Sequence, residues 1–156
     1  MPDAAIIDEL LAISVDRKLT AVTSHKIPFH DVDVMEVAWH GHYAKYFELA
    51  RCQLFSEIQY DYAEMRDSGF AWPVVDFRVK YIRSLLYNQE VEIHASLVEW
   101  EYRVKVNYEI RDKATGTKLS VGHSTQMGIN MQTGETCFET PECFRRKLLA
   151  YFKSQP

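Results

Sequence analysis

Cysteine is scarce. There are three, Cys52, Cys137 and Cys143, and no Cys-x-x-Cys pair. They are too few and too scattered for a disulfide framework, and they give zinc no thiolate site. A reducing compartment follows as the default, and the chain is expected to be cytoplasmic. Basic charge is not in excess: 18 Lys and Arg stand against 22 Asp and Glu, for a net charge of -4. That argues against a nucleic-acid partner. The one compact cationic group is Arg78, Lys80 and Arg83. Long apolar runs are missing too. The opening "MPDAAIIDELLAI" carries an acidic residue where a leader needs basic ones, and Asp8 and Glu9 interrupt its apolar stretch. Neither a signal peptide nor a membrane span is expected. There are no internal repeats and no low-complexity segments.

What is present suits one globular domain over residues 1–156. Hydrophobic residues make up 47% of the chain, enough to close a core. Charged residues make up 26%, which sets the chain apart from disordered sequences.

The N-terminal extension, residues 1–20, carries Ile6, Ile7, Leu10 and Leu11 at helical spacing. "SHKIPFHDVD" predicts a first strand, broken by Pro28. From His40 to Ile58 the period changes to that of a helix, with Tyr43, Tyr46, Phe47, Ala50, Leu54 and Ile58 on one face. "DYAEMRDSGFAW" reads as a connector. Alternating strands follow in "VVDFRVKYIR", "VEIHASL", "RVKVNYEIRD" and "KLSVGHSTQMGIN". In the last of these Leu119, Val121, His123, Thr125, Met127 and Ile129 share a face, which predicts a core histidine at His123. Close turns and missing crossover helices imply an antiparallel meander. Thr140-Pro141-Glu142 resembles the capped start of a C-terminal helix. One apolar helix and one sheet with one apolar face are best buried together. The predicted class is therefore α+β, an antiparallel sheet wrapped around a long central helix, with extra helices at both ends.

One stretch stands apart. "FHDVDVMEVAWHGHY" holds Asp31-Val32-Asp33, then Trp39-His40, then Tyr43, and the helix beyond contains Glu48-Leu49-Ala50-Arg51. With the strands after Pro73, this pattern resembles the 4-hydroxybenzoyl-CoA thioesterase family of hotdog-fold acyl-CoA thioesterases, over roughly residues 25–140. The chain departs from the family at Glu36 and at Asn88-Gln89, where glycine is frequent, and at His42, where asparagine is frequent. These departures bear on acyl specificity more than on the reaction.

The resemblance implies a thioesterase acting on acyl-CoA or an acyl carrier protein, a homodimer or homotetramer, and no bound cofactor or metal. It makes Asp33 the general base or nucleophile and the backbone N–H at His40 the oxyanion donor. Trp39, Gly41, Tyr43 and Glu48 become substrate contacts, with Arg78, Lys80 and Arg83 available to CoA phosphates. The residues themselves support part of this. "VAWHGHY" has no Ser, Thr, Asp or Asn to cap the helix, so its first N–H groups lack a local acceptor. Such groups bind oxyanions. Bland alternatives stand beside each role. Either aspartate can cap loop backbone, and Asp31 suits that role better. Glu48 has Arg51 at i, i+3 for an ion pair, and His42 suits a surface or interface. The competing functions are a hotdog dehydratase, using Glu48 with His40 or His42, and a non-catalytic acyl-binding protein.

Overall fold

The computed structural model describes residues 4–156. The elements run α1 (Ala4–Ile13), β1 (Thr20–Lys26), α2 (Tyr43–Glu57), α3 (Tyr62–Asp67), β2 (Phe70–Ala71), β3 (Val74–Tyr81), β4 (Glu90–Glu99), β5 (Val104–Asp112), β6 (Lys118–Gln126), β7 (Ile129–Asn130) and α4 (Glu142–Ser154). Two 3-10 turns, Phe29–Asp31 and His40–His42, flank the loop before α2.

The alternating segments pair as one five-stranded antiparallel sheet in the order β1-β4-β5-β6-β3. β2 and β7 form a separate pair. The apolar stripe of α2 lies in the curve of the large sheet, and Tyr46, Phe47, Ala50 and Leu54 are fully buried there. This is the hotdog architecture that the strand and helix patterns predict. α1 and α4 pack on each other, with Leu10 and Phe144 fully buried. Lys153 and Glu9 pair across them at 2.6 Å. Among the described residues no helix is long and apolar enough to cross a membrane.

Four expectations need correction. The first strand ends at Lys26, earlier than predicted, because Pro28 offers no N–H to a ladder and the chain turns at Phe29. The connector contains α3, capped by Asp61, whose carboxylate accepts the Ala63 and Glu64 N–H groups. Thr140 does not cap α4. Its hydroxyl instead donates to the Trp100 carbonyl at 2.7 Å and accepts from Nε of buried Arg145 at 2.9 Å.

The fourth concerns the phase of β6. Ser120, Gly122 and Ser124 sit opposite Ile110, Tyr108 and Val106, so they share the inner face and Val121 and His123 turn outward. The reason lies in α2. Phe47 stacks on Tyr108 with ring centroids 4.5 Å apart. A Cβ at Gly122 would lie 2.5 Å from Phe47 Cε2. The inner face of β6 must stay low to admit that aromatic pair, which inverts its hydrophobic pattern.

Candidate active site

The stretch between the two 3-10 turns is a miniature hairpin. The Trp39 N–H donates to the Asp31 carbonyl at 2.9 Å, Val32 bridges Ala38, and the Asp33 N–H donates to Val37 at 3.0 Å. Its tip is closed by the Glu36 N–H on the Asp33 carbonyl at 2.9 Å. Leu85 fastens the returning arm by accepting the Ala38 N–H at 2.8 Å. Glu36 (φ 63°) and Asn88 (φ 66°) are both left-handed, at the two places where the sequence departs from a glycine pattern.

The two aspartates differ sharply. Asp31 is 1% exposed. Its carboxylate accepts Lys45 Nζ at 2.8 Å and the Tyr46 hydroxyl at 2.7 Å, with His42 Nε2 at 3.9 Å. Burial by itself pushes this carboxyl up. The Lys45 and Tyr46 bonds and the lysine charge outweigh burial and hold it below the usual range. Tyr46 is pushed far up by burial and by its bond to Asp31, so it stays a donor. Asp33 is exposed. Its Oδ1 accepts the Met35 N–H at 2.8 Å, an Asx turn, and Oδ2 has no partner among the described residues. The carboxylate against the first turn of α2 is therefore that of Asp31, and Asp33 stands further out on the loop. Both side chains carry local structure, but only Asp33 keeps an oxygen open to solvent.

At the helix start the expectation of an uncapped end is met. Neither Trp39 nor His42 makes a side-chain cap. The N–H groups of His40 and Gly41 have no acceptor among the described residues, and both residues are exposed. Tyr81 at the end of β3 donates its hydroxyl to the His40 carbonyl at 3.2 Å. That carbonyl belongs to the same peptide unit as the Gly41 N–H and points the opposite way. The Tyr43 N–H donates to the same carbonyl, so Tyr81 and the 3-10 turn together set the direction in which the Gly41 N–H projects. The Trp39 indole lies over Gly41 so closely that a Cβ there would be 2.1 Å from the ring. The same indole contacts the His40 and His42 rings at centroid distances of 5.0 and 5.5 Å. Tyr43, 2% exposed, meets Tyr81 edge-on at 4.7 Å. Trp39, His40, Gly41 and Tyr43 thus lie together at the helix start.

The sequence profile of the thioesterase-like superfamily matches residues 27–148, which include this loop, α2 and the whole sheet except β1. The chain belongs to the thioesterase-like superfamily. Thioester hydrolysis is the activity class that goes with it. Among solved structures, a DHNA-CoA thioesterase from Staphylococcus aureus is similar, with 27% identity and a TM-score of 0.76 over 86% of this chain and 89% of that one. A 1,4-dihydroxy-2-naphthoyl-CoA thioesterase from Synechocystis, 13% identical, shares the fold at a TM-score of 0.75 over 88% of this chain and 99% of the other. A Synechocystis sp. relative provisionally named an esterase is 27% identical over 121 residues, 77% of this chain and 73% of its own.

The remaining candidates of this thioesterase-like chain are spread more widely. Glu48 pairs with Arg51 at 3.3 Å, the bland alternative foreseen for it. Both residues border a cavity of about 460 Å³ between α2, α3 and β2. Arg78 and Lys80 alternate with inward-facing Phe77 and Tyr81, so they leave β3 on the face away from α2. There they line a shallow hollow of about 430 Å³ with His94, Lys118 and His123. Arg83 is exposed beyond the end of β3. Within one chain Arg78 and Lys80 therefore face away from the helix start. His123 pairs with Asp76 at 3.2 Å on that outer face, so it is not the core histidine its strand pattern predicted. Lys45 and Tyr81 escaped the sequence reading, and Tyr46 was read only as a core residue of the helix face. Tyr81 had one usable signal, since it alternates with Phe77 and Val79 on the strand face that meets Tyr43.

Proposed function

We propose that the protein hydrolyses acyl-CoA thioesters, with Asp33 as general base or nucleophile and the His40 and Gly41 N–H groups as oxyanion donors. The observation that carries this reading is the pair of exposed, unsatisfied N–H groups at the start of α2, beside a loop whose outer carboxylate is accessible. Asp33 lies two ladder positions, about 7 Å, from the Trp39 rung. A water molecule and a thioester carbonyl together bridge such a distance. As the carbonyl carbon is attacked, charge collects on its oxygen, and each well-aimed donor lowers the barrier by about 3 kcal/mol. The Trp39 indole packs over Gly41 at the site. The relatives that act on CoA thioesters favour CoA over a carrier protein as the thiol.

The dehydratase reading needs a helix carboxylate near an imidazole. Glu48 is eight residues, about 12 Å, along α2 from His40 and is tied to Arg51. That weighs against it.

The test is Asp33→Asn, which keeps size and removes charge. With the best thioester found in an acyl-CoA panel, kcat should fall about 100-fold or more, roughly 3 kcal/mol of barrier, with KM little changed. A variant that turns over at the wild-type rate overturns the assignment and moves the acyl-binding reading ahead.

A further inference from the structure

The outer face of the large sheet, turned away from α2, carries positive charge that it does not match. Arg78 and Lys80 sit two positions apart on one side of β3, about 7 Å from each other. Both are exposed, and neither pairs with a carboxylate among the described residues. The carboxylates of that face have partners of their own. Glu109 accepts Arg111 at 3.0 Å and Lys118 at 3.1 Å, Asp76 pairs with His123 at 3.2 Å, and Glu92 lies 3.8 Å from His94.

Arg78 and Lys80 border the hollow of about 430 Å³ on this face, room for a small polar ligand. Its floor is built in rows across the strands. Ser96 pairs with Asn107, Asn107 with His123, and His123 with Arg78, so a hydroxyl, a carboxamide, an imidazole and a guanidinium lie side by side. Lys80 and His94 close the next row, beyond Val121 and Glu109. The Ser96 hydroxyl and the Asn107 amide bond no group among the described residues, and Asn107 is exposed, so these donors are open to a ligand. Glu109 is the one acid in the lining, and two cations already neutralise it. β5, under the floor, is two strands or about 10 Å in from the β3 edge. The sheet separates it from the N–H groups at the start of α2.

We propose that this hollow binds a diphosphate-bearing small molecule, such as a nucleoside diphosphate, at a site separate from the thioester site. Two free cations about 7 Å apart suit two linked phosphoryl groups better than a single carboxylate. Arg78 grips one group with its planar fork and Lys80 meets the other as a point charge. Asn107 and Ser96 donate from the floor. A merely solvated strand face needs neither the hollow nor the open donors beneath it.

Calorimetric titration of the full chain with inorganic diphosphate tests this. At 0.15 M salt, where diffuse attraction is screened, the wild type should bind with a Kd below about 1 mM. Asn107→Asp keeps the shape of the floor and adds a negative charge, so it should weaken binding by about tenfold or more. Lys80→Gln alters only an exposed side chain and should do the same by about tenfold, which keeps the test open if Asn107→Asp fails to fold. Lys113→Gln removes a cation beyond the end of β5, outside the hollow, and should leave Kd within about twofold. No binding by the wild type, or an equal loss in all three variants, overturns the site. CoA also carries a diphosphate, so competition decides the source. Saturating inorganic diphosphate should leave KM for the best acyl-CoA unchanged. A KM that rises in proportion to diphosphate assigns the hollow to the substrate's own phosphates and overturns a separate site. If no thioester is hydrolysed while diphosphate still binds the wild type and not Asn107→Asp, the thioesterase reading fails and this site stands.

Discussion

The Asp31 carboxylate is buried and still ionised, because Lys45 and Tyr46 hold it from two sides. Its folded-state pKa lies below the ordinary value, so its contribution to stability is complete above about pH 4. That contribution is lost as the pH falls through the lower folded value. Asp31→Asn should remove about 2 kcal/mol at pH 7, discounted because Lys45 is half exposed and can rehydrate. Urea unfolding of wild type and variant should converge as the pH drops below 4; parallel curves down to pH 2 would show that this network is not the cause. Tyr81 acts at the same scale but on a peptide plane. Tyr81→Phe keeps the ring against Tyr43 and loses only the bond to the His40 carbonyl. If that bond aims the Gly41 N–H, kcat should fall about tenfold while KM and thermal midpoint hold, since the donor matters most when charge develops. A matching rise in KM would instead assign Tyr81 to substrate binding.

Elements were legible in the sequence where one period governed a long run. The helix from Tyr43 and the strands from Val74, Glu90, Val104 and Lys118 all declare themselves in this way. The phase of β6 did not, because its inner residues answer to Phe47, more than 70 positions away, and not to their neighbours. The loop before α2 divides similarly. Asp-x-Asp and the uncapped helix start could be read locally. The Asp31 cage and the Tyr81 bond could not, since they join residues from separate elements. The loop tip carries its own testable strain. Glu36 adopts φ 63°, a conformation that costs a residue with a Cβ about 1 kcal/mol. It also faces solvent, so nothing in the core depends on its side chain. Glu36→Gly should relieve that strain and raise the unfolding free energy by up to about 1 kcal/mol, less the entropy glycine loses on folding. A loss of stability in urea titrations would mean that the glutamate side chain holds the loop in some other way.

At the scale of the whole molecule the open question is the edge of the sheet. β3 pairs with β6 on one side only. It leaves Val75, Phe77, Tyr81 and Ile82 between 39% and 55% exposed. A long apolar edge of this kind invites pairing with another chain. Two copies joined by a two-fold axis present the same strand to each other, and the pairing is then antiparallel. Centred near Phe77, it brings the Tyr81 end of one β3 to the Val74 end of the other. The helix start of one chain then lies beside the cavity of its partner. Light scattering at micromolar concentration should accordingly give a dimer or a tetramer, and Phe77→Lys should shift it toward monomer. A stricter test asks whether each site draws on both chains: if it does, the Phe77→Lys monomer should lose at least about tenfold in kcat/KM on the best thioester of the panel, whereas sites complete within one chain would leave the monomer at the wild-type rate.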